Sequence, residues 1–135
     1  MSSIFTKIIN GELPAVKVYE DSKTMAIMDI NPIQIGQVLV FPKIEVGSIW
    51  ELNDQDYLAL MATVQKVGQK IKLAFPDKLR VGVMVEGLEV VDHAHVKVFP
   101  FSSVSEFHAQ PVLRPSQSEL EKIANQLSIE YTNNQ

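Results

Sequence analysis

The stretch LNDQDYLALMATVQKVGQKIKLAFP, residues 52–76, repeats its apolar side chains every three or four positions. Tyr57, Leu60, Met61, Val64, Val67 and Ile71 form one stripe at the i, i+3, i+4, i+7 spacing of an α-helix. Asn53 or Asp54 offers an N-cap, and acids fill the first turn, where the helix dipole favours negative charge. Lys66, Lys70 and Lys72 lie late in the segment and suit the opposite pole, and Pro76 stops it. The stripe reads as core packing rather than as a cofactor site.

On both sides of this helix the apolar runs are short and strand-like. AVKVYED and TMAIMDI are separated by a turn at Asp21-Ser22-Lys23. DINPIQIGQ is a loop broken by Pro32 and Gly36, and GQVLVFPK is a strand that ends at Pro42. LRVGVMVEG is strand-like again, and HAHVKVFPF follows as a fifth strand. SIFTKIINGELP predicts a first helix of about two turns, with Ile4, Phe5, Ile8 and Ile9 at helical spacing and Asn10-Gly11 as its end. Pro14 then forces an extended start. SSVSEFHAQPVLRP reads as irregular. A last amphipathic helix starts near Ser116, with Ser118 a second candidate cap and Leu120, Ile123, Leu127 and Tyr131 on its face. TNNQ reads as a frayed end. This order predicts an α+β fold with a mostly antiparallel sheet of about five strands, one long helix packed on it, and short N-terminal and C-terminal helices. A single domain covers 1–135, with its core over 3–101 and a tail and helix over 102–132.

The 135 residues suit one core, and 46% apolar with 21% charged residues is a globular balance. A net charge of −4 argues against nucleic-acid binding, which wants a basic field. The absence of cysteine rules out disulfides and thiolate metal sites. MSSIFTKIINGELP has no basic region followed by an apolar one, and no apolar run nears the roughly 20 residues that span a bilayer. The expectation is a cytoplasmic protein with no membrane partner.

Two of the three histidines fall in VVDHAHVKVFPF, Val90 to Phe101. On a strand His93, His95 and Lys97 share one face, and Ala94, Val96 and Val98 point into the core. Three readings stay open on spacing alone. The face can be an ordinary half-wet sheet surface. His93 and His95 can be metal ligands completed by Glu86 or Glu89, although Lys97 on the same face would repel a cation. Or a neutral imidazole can act as a nucleophile, with the lysine holding a phosphate by charge.

FTKIINGELPAVKVYEDSKTMAIMDINP, then LVFPK, then HAHVKVFP resembles the histidine triad (HIT) family of nucleotide hydrolases and transferases, over about residues 3–101. The resemblance implies an antiparallel sheet with a long helix packed on it, paired as a homodimer. It implies a purine nucleotide or nucleotide-derived substrate and no cofactor. His95 matches the middle histidine, which attacks the α-phosphorus of phosphoramidates or dinucleoside polyphosphates and carries a nucleotidyl intermediate. His93 matches the first triad position, which fixes local geometry. Ile4, Phe5, Ile8, Ile27 and Ile30 match apolar positions that sandwich the base. Asp29 matches the acid that accepts from ribose hydroxyls, and Leu39 supports the ribose side. Asp29 has a second reading, as a cap of the next turn.

The chain departs from the family pattern in three places. Lys97 replaces the third histidine and remains a donor, as a point charge. VEGLEVVDH is about three residues shorter than the family's phosphate loop. Val85 stands where a phosphate-binding Asn is expected, Val90 stands near an expected Ser, and Glu86 and Glu89 would repel a polyphosphate. The alternative function that follows is a nucleotide-binding protein with weak or no catalysis. Many bacterial relatives hold a structural zinc at positions matching Ser3, Thr6, Glu45 and His93. Three of these four residues are not ligands in that pattern, so no metal is expected. His108 reads as a surface histidine, with an approach to the site as its other reading.

Overall fold

Ser3 caps the first helix, α1 (Ile4–Ile9), its Oγ accepting from the Thr6 amide at 3.0 Å. Asn10 ends the helix and Gly11, at φ +79°, turns the chain in the left-handed region that favours glycine. The computed structural model describes residues 2–130. The expectations for Tyr131 and for TNNQ lie outside the described residues.

Strands β1 (Lys17–Glu20) and β2 (Thr24–Met28) form a hairpin whose turn is closed by Asp21. One carboxylate oxygen of Asp21 accepts from the Lys23 and Thr24 amides, both at 2.8 Å. After a loop, β3 (Val38–Pro42) pairs with β2, then β5 (Val96–Phe101), and β4 (Arg80–Met84) closes the sheet. The order is β1-β2-β3-β5-β4, and every pairing is antiparallel. Gly36, in the loop before β3, sits at φ +95° against the Phe75 ring, where a Cβ would lie 2.6 Å from Cζ.

The long helix, α2 (Asp54–Ala74), is capped by Asn53, whose side chain accepts from the Asp56 amide at 2.8 Å. It covers one face of the sheet. Leu60, Val64, Val67 and Ile71 pack there with Ala26, Met28, Val38, Val40, Val96 and Val98. Tyr57 leaves the expected stripe and is exposed. The last helix, α4 (Gln117–Leu127), adds Leu120, Ala124 and Leu127 to this core, and a full capping box at Ser116 and Glu119 starts it. The opposite face carries Met25, Ile27, Leu39 and Phe41, and α1 lies over it through Phe5 and Ile8. β2 is therefore buried on both faces, which explains its unbroken apolar run.

Three expectations need correction. The fifth strand begins at Val96, not at His93. The Pro42 carbonyl, which would continue the ladder, is taken by the His93 ring, and the Ala94 amide turns away to Val46 O at 2.7 Å. The face bearing His93, His95 and Lys97 is not half-wet: all three are buried, at 0%, 2% and 4% exposure. α1 and the 85–91 loop cover it. The stretch after β5 is not wholly irregular, since Ser103 caps a one-turn helix, α3 (Val104–Phe107). Its Phe107 packs on Phe99 and Phe101 at 5.3 and 5.2 Å between ring centroids. Four residues are too few to show a period.

Candidate active site

His95 Nδ1 lies 2.9 Å from the carbonyl oxygen of His93. A carbonyl only accepts, so Nδ1 carries a proton, and in the neutral ring Nε2 carries the lone pair. Nε2 is buried with no hydrogen-bond partner, and Glu89 Oε2 stands 3.8 Å away. A buried acceptor without a donor is costly and uncommon in a folded chain, so this nitrogen marks the site.

His93 sits one layer deeper. Its Nε2 donates to Pro42 O at 2.7 Å, so its Nδ1 accepts from Ser3 Oγ at 2.6 Å. Burial pushes its pKa below the usual range and keeps the ring neutral. Thr6 Oγ1 and the Ser3 amide both donate to Glu45 Oε1 at 2.7 Å. Those bonds, with Ser3 first, hold the exposed Glu45 carboxyl below its usual range. Ser3, Thr6, Glu45 and His93 thus meet as one hydrogen-bonded clasp between α1 and the sheet. The clasp does not fit a tetrahedral zinc: two of its members are hydroxyls, and both ring nitrogens of His93 are engaged.

Lys97 is buried beneath the 85–91 loop. Its Nζ bonds Glu89 Oε1 at 2.6 Å and pairs with Glu86 Oε1 at 3.2 Å. Burial alone would lower its pKa, but the bonds and charges of the two acids outweigh that and raise it. The two histidines do not converge on a common ligand. His95 comes together instead with Glu86 and Glu89, whose ligand atoms lie within 4.8 Å of one another. Lys97 pairs with both carboxylates there through Glu86 Oε1 and Glu89 Oε1, which leaves one net negative charge on the three groups.

A cavity of about 510 Å³, within the usual size range of a small-molecule site, opens beside His95. Ile4, Phe5, Ile8 and Ile27 line it, with Asp29, Ile30 and Leu39. The structure therefore gathers every residue assigned to a nucleotide pocket around one space. Ile4 and Ile30 form its exposed rim, and Phe5 and Ile27 its buried wall. Phe5 stacks on Phe41 at 4.3 Å and meets the His95 ring edge-on at 5.2 Å. Asp29 caps the next turn, Oδ1 accepting from the Asn31 amide at 2.9 Å, and the residue also faces the cavity. His108 is exposed and its ring packs edge-on against Phe107.

Sequence reasoning missed Gln37. It is buried, takes the Ile33 amide on Oε1 at 3.1 Å, and donates from Nε2 to Asp29 Oδ2 at 2.7 Å. It fixes the carboxylate that lines the cavity. The one available signal was an acid ending an apolar strand, since such a group needs a donor. Val90 also faces the cavity, and Glu89 enters it from the same loop.

The sequence model of the HIT domain matches residues 10–104. An uncharacterised HIT-like protein of Borreliella burgdorferi is 41% identical over 69 residues, which are 51% of this chain and 50% of that protein. The chain thus matches only half the length of that relative. An adenosine 5'-monophosphoramidase of Schizosaccharomyces pombe is 33% identical over 100 residues, 74% of either chain. A crystal structure of a HIT-like protein from Bartonella henselae superposes with a TM-score of 0.84 at 29% identity, over 93% of both chains. The chain belongs to the HIT family.

Proposed function

We propose that the chain is a nucleotide-binding hydrolase that cleaves at the α-phosphate of nucleoside phosphoramidates or dinucleoside polyphosphates through His95. One observation carries this reading: a buried imidazole nitrogen with a lone pair and no partner, at the wall of an apolar cavity that also holds a carboxylate. The base lies between the aliphatic side chains, and Asp29 accepts from the ribose hydroxyls. Nε2 attacks the α-phosphorus. The bond from phosphorus to the leaving group breaks, and its electron pair leaves with that group, which takes a proton from water. Nδ1–H stays on the His93 carbonyl and steadies the imidazolium that forms. Lys97 stabilises charge on the phosphoryl oxygens. Water then attacks phosphorus and gives a proton to Glu89, the P–N pair returns to His95, and the nucleoside monophosphate departs. The phosphoramidase among the relatives supports this chemistry.

The test is acid-quenched trapping of radiolabelled nucleotide on the protein, with turnover measured on a panel of adenosine and guanosine substrates. His95→Ala is expected to lose the label and to slow turnover by about 10³-fold or more. An unchanged rate in that variant removes the reading. A second reading, a binder with weak or no catalysis, is favoured by the engagement of Lys97 with Glu89 and Glu86. It predicts monophosphate binding by calorimetry with no label on His95. We also propose a cytoplasmic homodimer, for which sedimentation should give twice the chain mass of 15.1 kDa.

A further inference from the structure

His95 lines two cavities, and among the described residues it is the one they share. The second, of about 290 Å³, is walled by Ser48, Ile49 and Trp50 on one side and by Val85, Glu86 and Gly87 on the other. A nucleophile that joins two cavities sorts the two halves of a substrate between them. The nucleotide fills the first, so the second receives what leaves.

The walls of the second cavity select its occupant. Among the described residues no lysine or arginine lines it, so a departing pyrophosphate or nucleotide would meet no cationic side chain on its walls. Glu86 contributes negative charge instead. Its contacts to Lys97 and to the Leu88 amide both run through Oε1. Trp50 stands on the 3-10 turn Ile49–Glu51 with 87% of its surface exposed, the most open large apolar side chain among the described residues. An indole face beside a carboxylate binds organic cations.

We infer that this second cavity is a leaving-group subsite for an organic amine that carries a further, non-reacting positive charge. The inference rests on the hydrolase reading for its chemistry. On departure the P–N bond breaks, its pair stays on nitrogen, and the amine takes a proton from water. The distal cation remains between Trp50 and Glu86 throughout.

Two substrates of matched length test it: the adenosine 5'-phosphoramidates of butylamine and of 1,4-diaminobutane. The wild type should prefer the diamine compound about tenfold in kcat/KM. Trp50→Ala and Glu86→Gln should each lower that ratio at least threefold. A ratio near one in the wild type, or one that either variant leaves intact, overturns the subsite. If neither compound is hydrolysed, the phosphoramidate half of the hydrolase reading fails and calorimetry of the same intact compounds decides the subsite. Tighter binding of the diamine compound, lost in both variants, sustains it; equal affinities overturn it.

Discussion

His93 and His95 are neighbours on the chain with opposite duties, and their hydrogen bonds separate them. His95 gives its one proton to the His93 carbonyl and keeps a lone pair for the cavity. His93 uses both nitrogens, one toward Pro42 and one toward Ser3, and keeps none free. Its buried ring has a lowered pKa, so the folded chain binds a proton there less readily than the unfolded chain does. The unfolded value is about 6.5. The stability that His93 contributes is therefore complete above that pH and is lost as pH falls through it toward the folded value. The wild-type melting temperature should drop between about pH 7.5 and 5.5. His93→Gln cannot take the proton, so its melting temperature should be lower at pH 7.5 but flatter across the same range. Parallel curves for the two proteins would show that His93 is not the group that titrates.

At the level of elements, α1 is a helix of 6 residues, too short to persist alone. It is held by the clasp of Ser3, Thr6, Glu45 and His93 and by Phe5 on Phe41. Since α1 carries one wall of the larger cavity, where we propose that the nucleotide sits, loosening it should weaken binding more than chemistry. Thr6→Val removes the bond to Glu45, worth about 1 kcal/mol. KM should rise about fivefold with kcat within about twofold, and amide exchange over residues 4–9 should quicken. A fall in kcat at constant KM would place Thr6 in the chemistry instead. The same helix shows what the sequence made legible. Ile4, Phe5, Ile8 and the stop at Asn10-Gly11 were readable because period and punctuation are local. What covers His95 was not. A period of two says that His93, His95 and Lys97 share a face, but whether water or another element lies on that face depends on α1, roughly ninety residues away, and on how the adjacent 85–91 loop folds back over it. Gln37 was hidden for the same reason: a glutamine in a Pro- and Gly-containing loop reads as solvated until Asp29 is seen opposite it.

The whole molecule is a sheet with unequal faces. One is sealed by α2 and α4 and holds the larger apolar cluster. The other is partly covered by α1 and the 85–91 loop and holds the two cavities beside His95 and its unpartnered nitrogen. This division predicts that stability and function respond to different substitutions. Leu60 is fully buried on the sealed face among Val40, Val64 and Val96. Leu60→Ala should cost about 2–5 kcal/mol through lost burial and the cavity left behind. For a chain of this size that lowers the melting temperature by roughly 10 °C. Monophosphate affinity, read by calorimetry well below the new melting temperature, should stay within about twofold, because the sheet stands between Leu60 and the proposed nucleotide cavity. Phe5→Ala removes an aromatic wall of the cavity itself and should reverse the emphasis, with affinity falling more than tenfold. If Leu60→Ala weakens nucleotide binding as much as Phe5→Ala does, the two faces are coupled through the strands and the division fails.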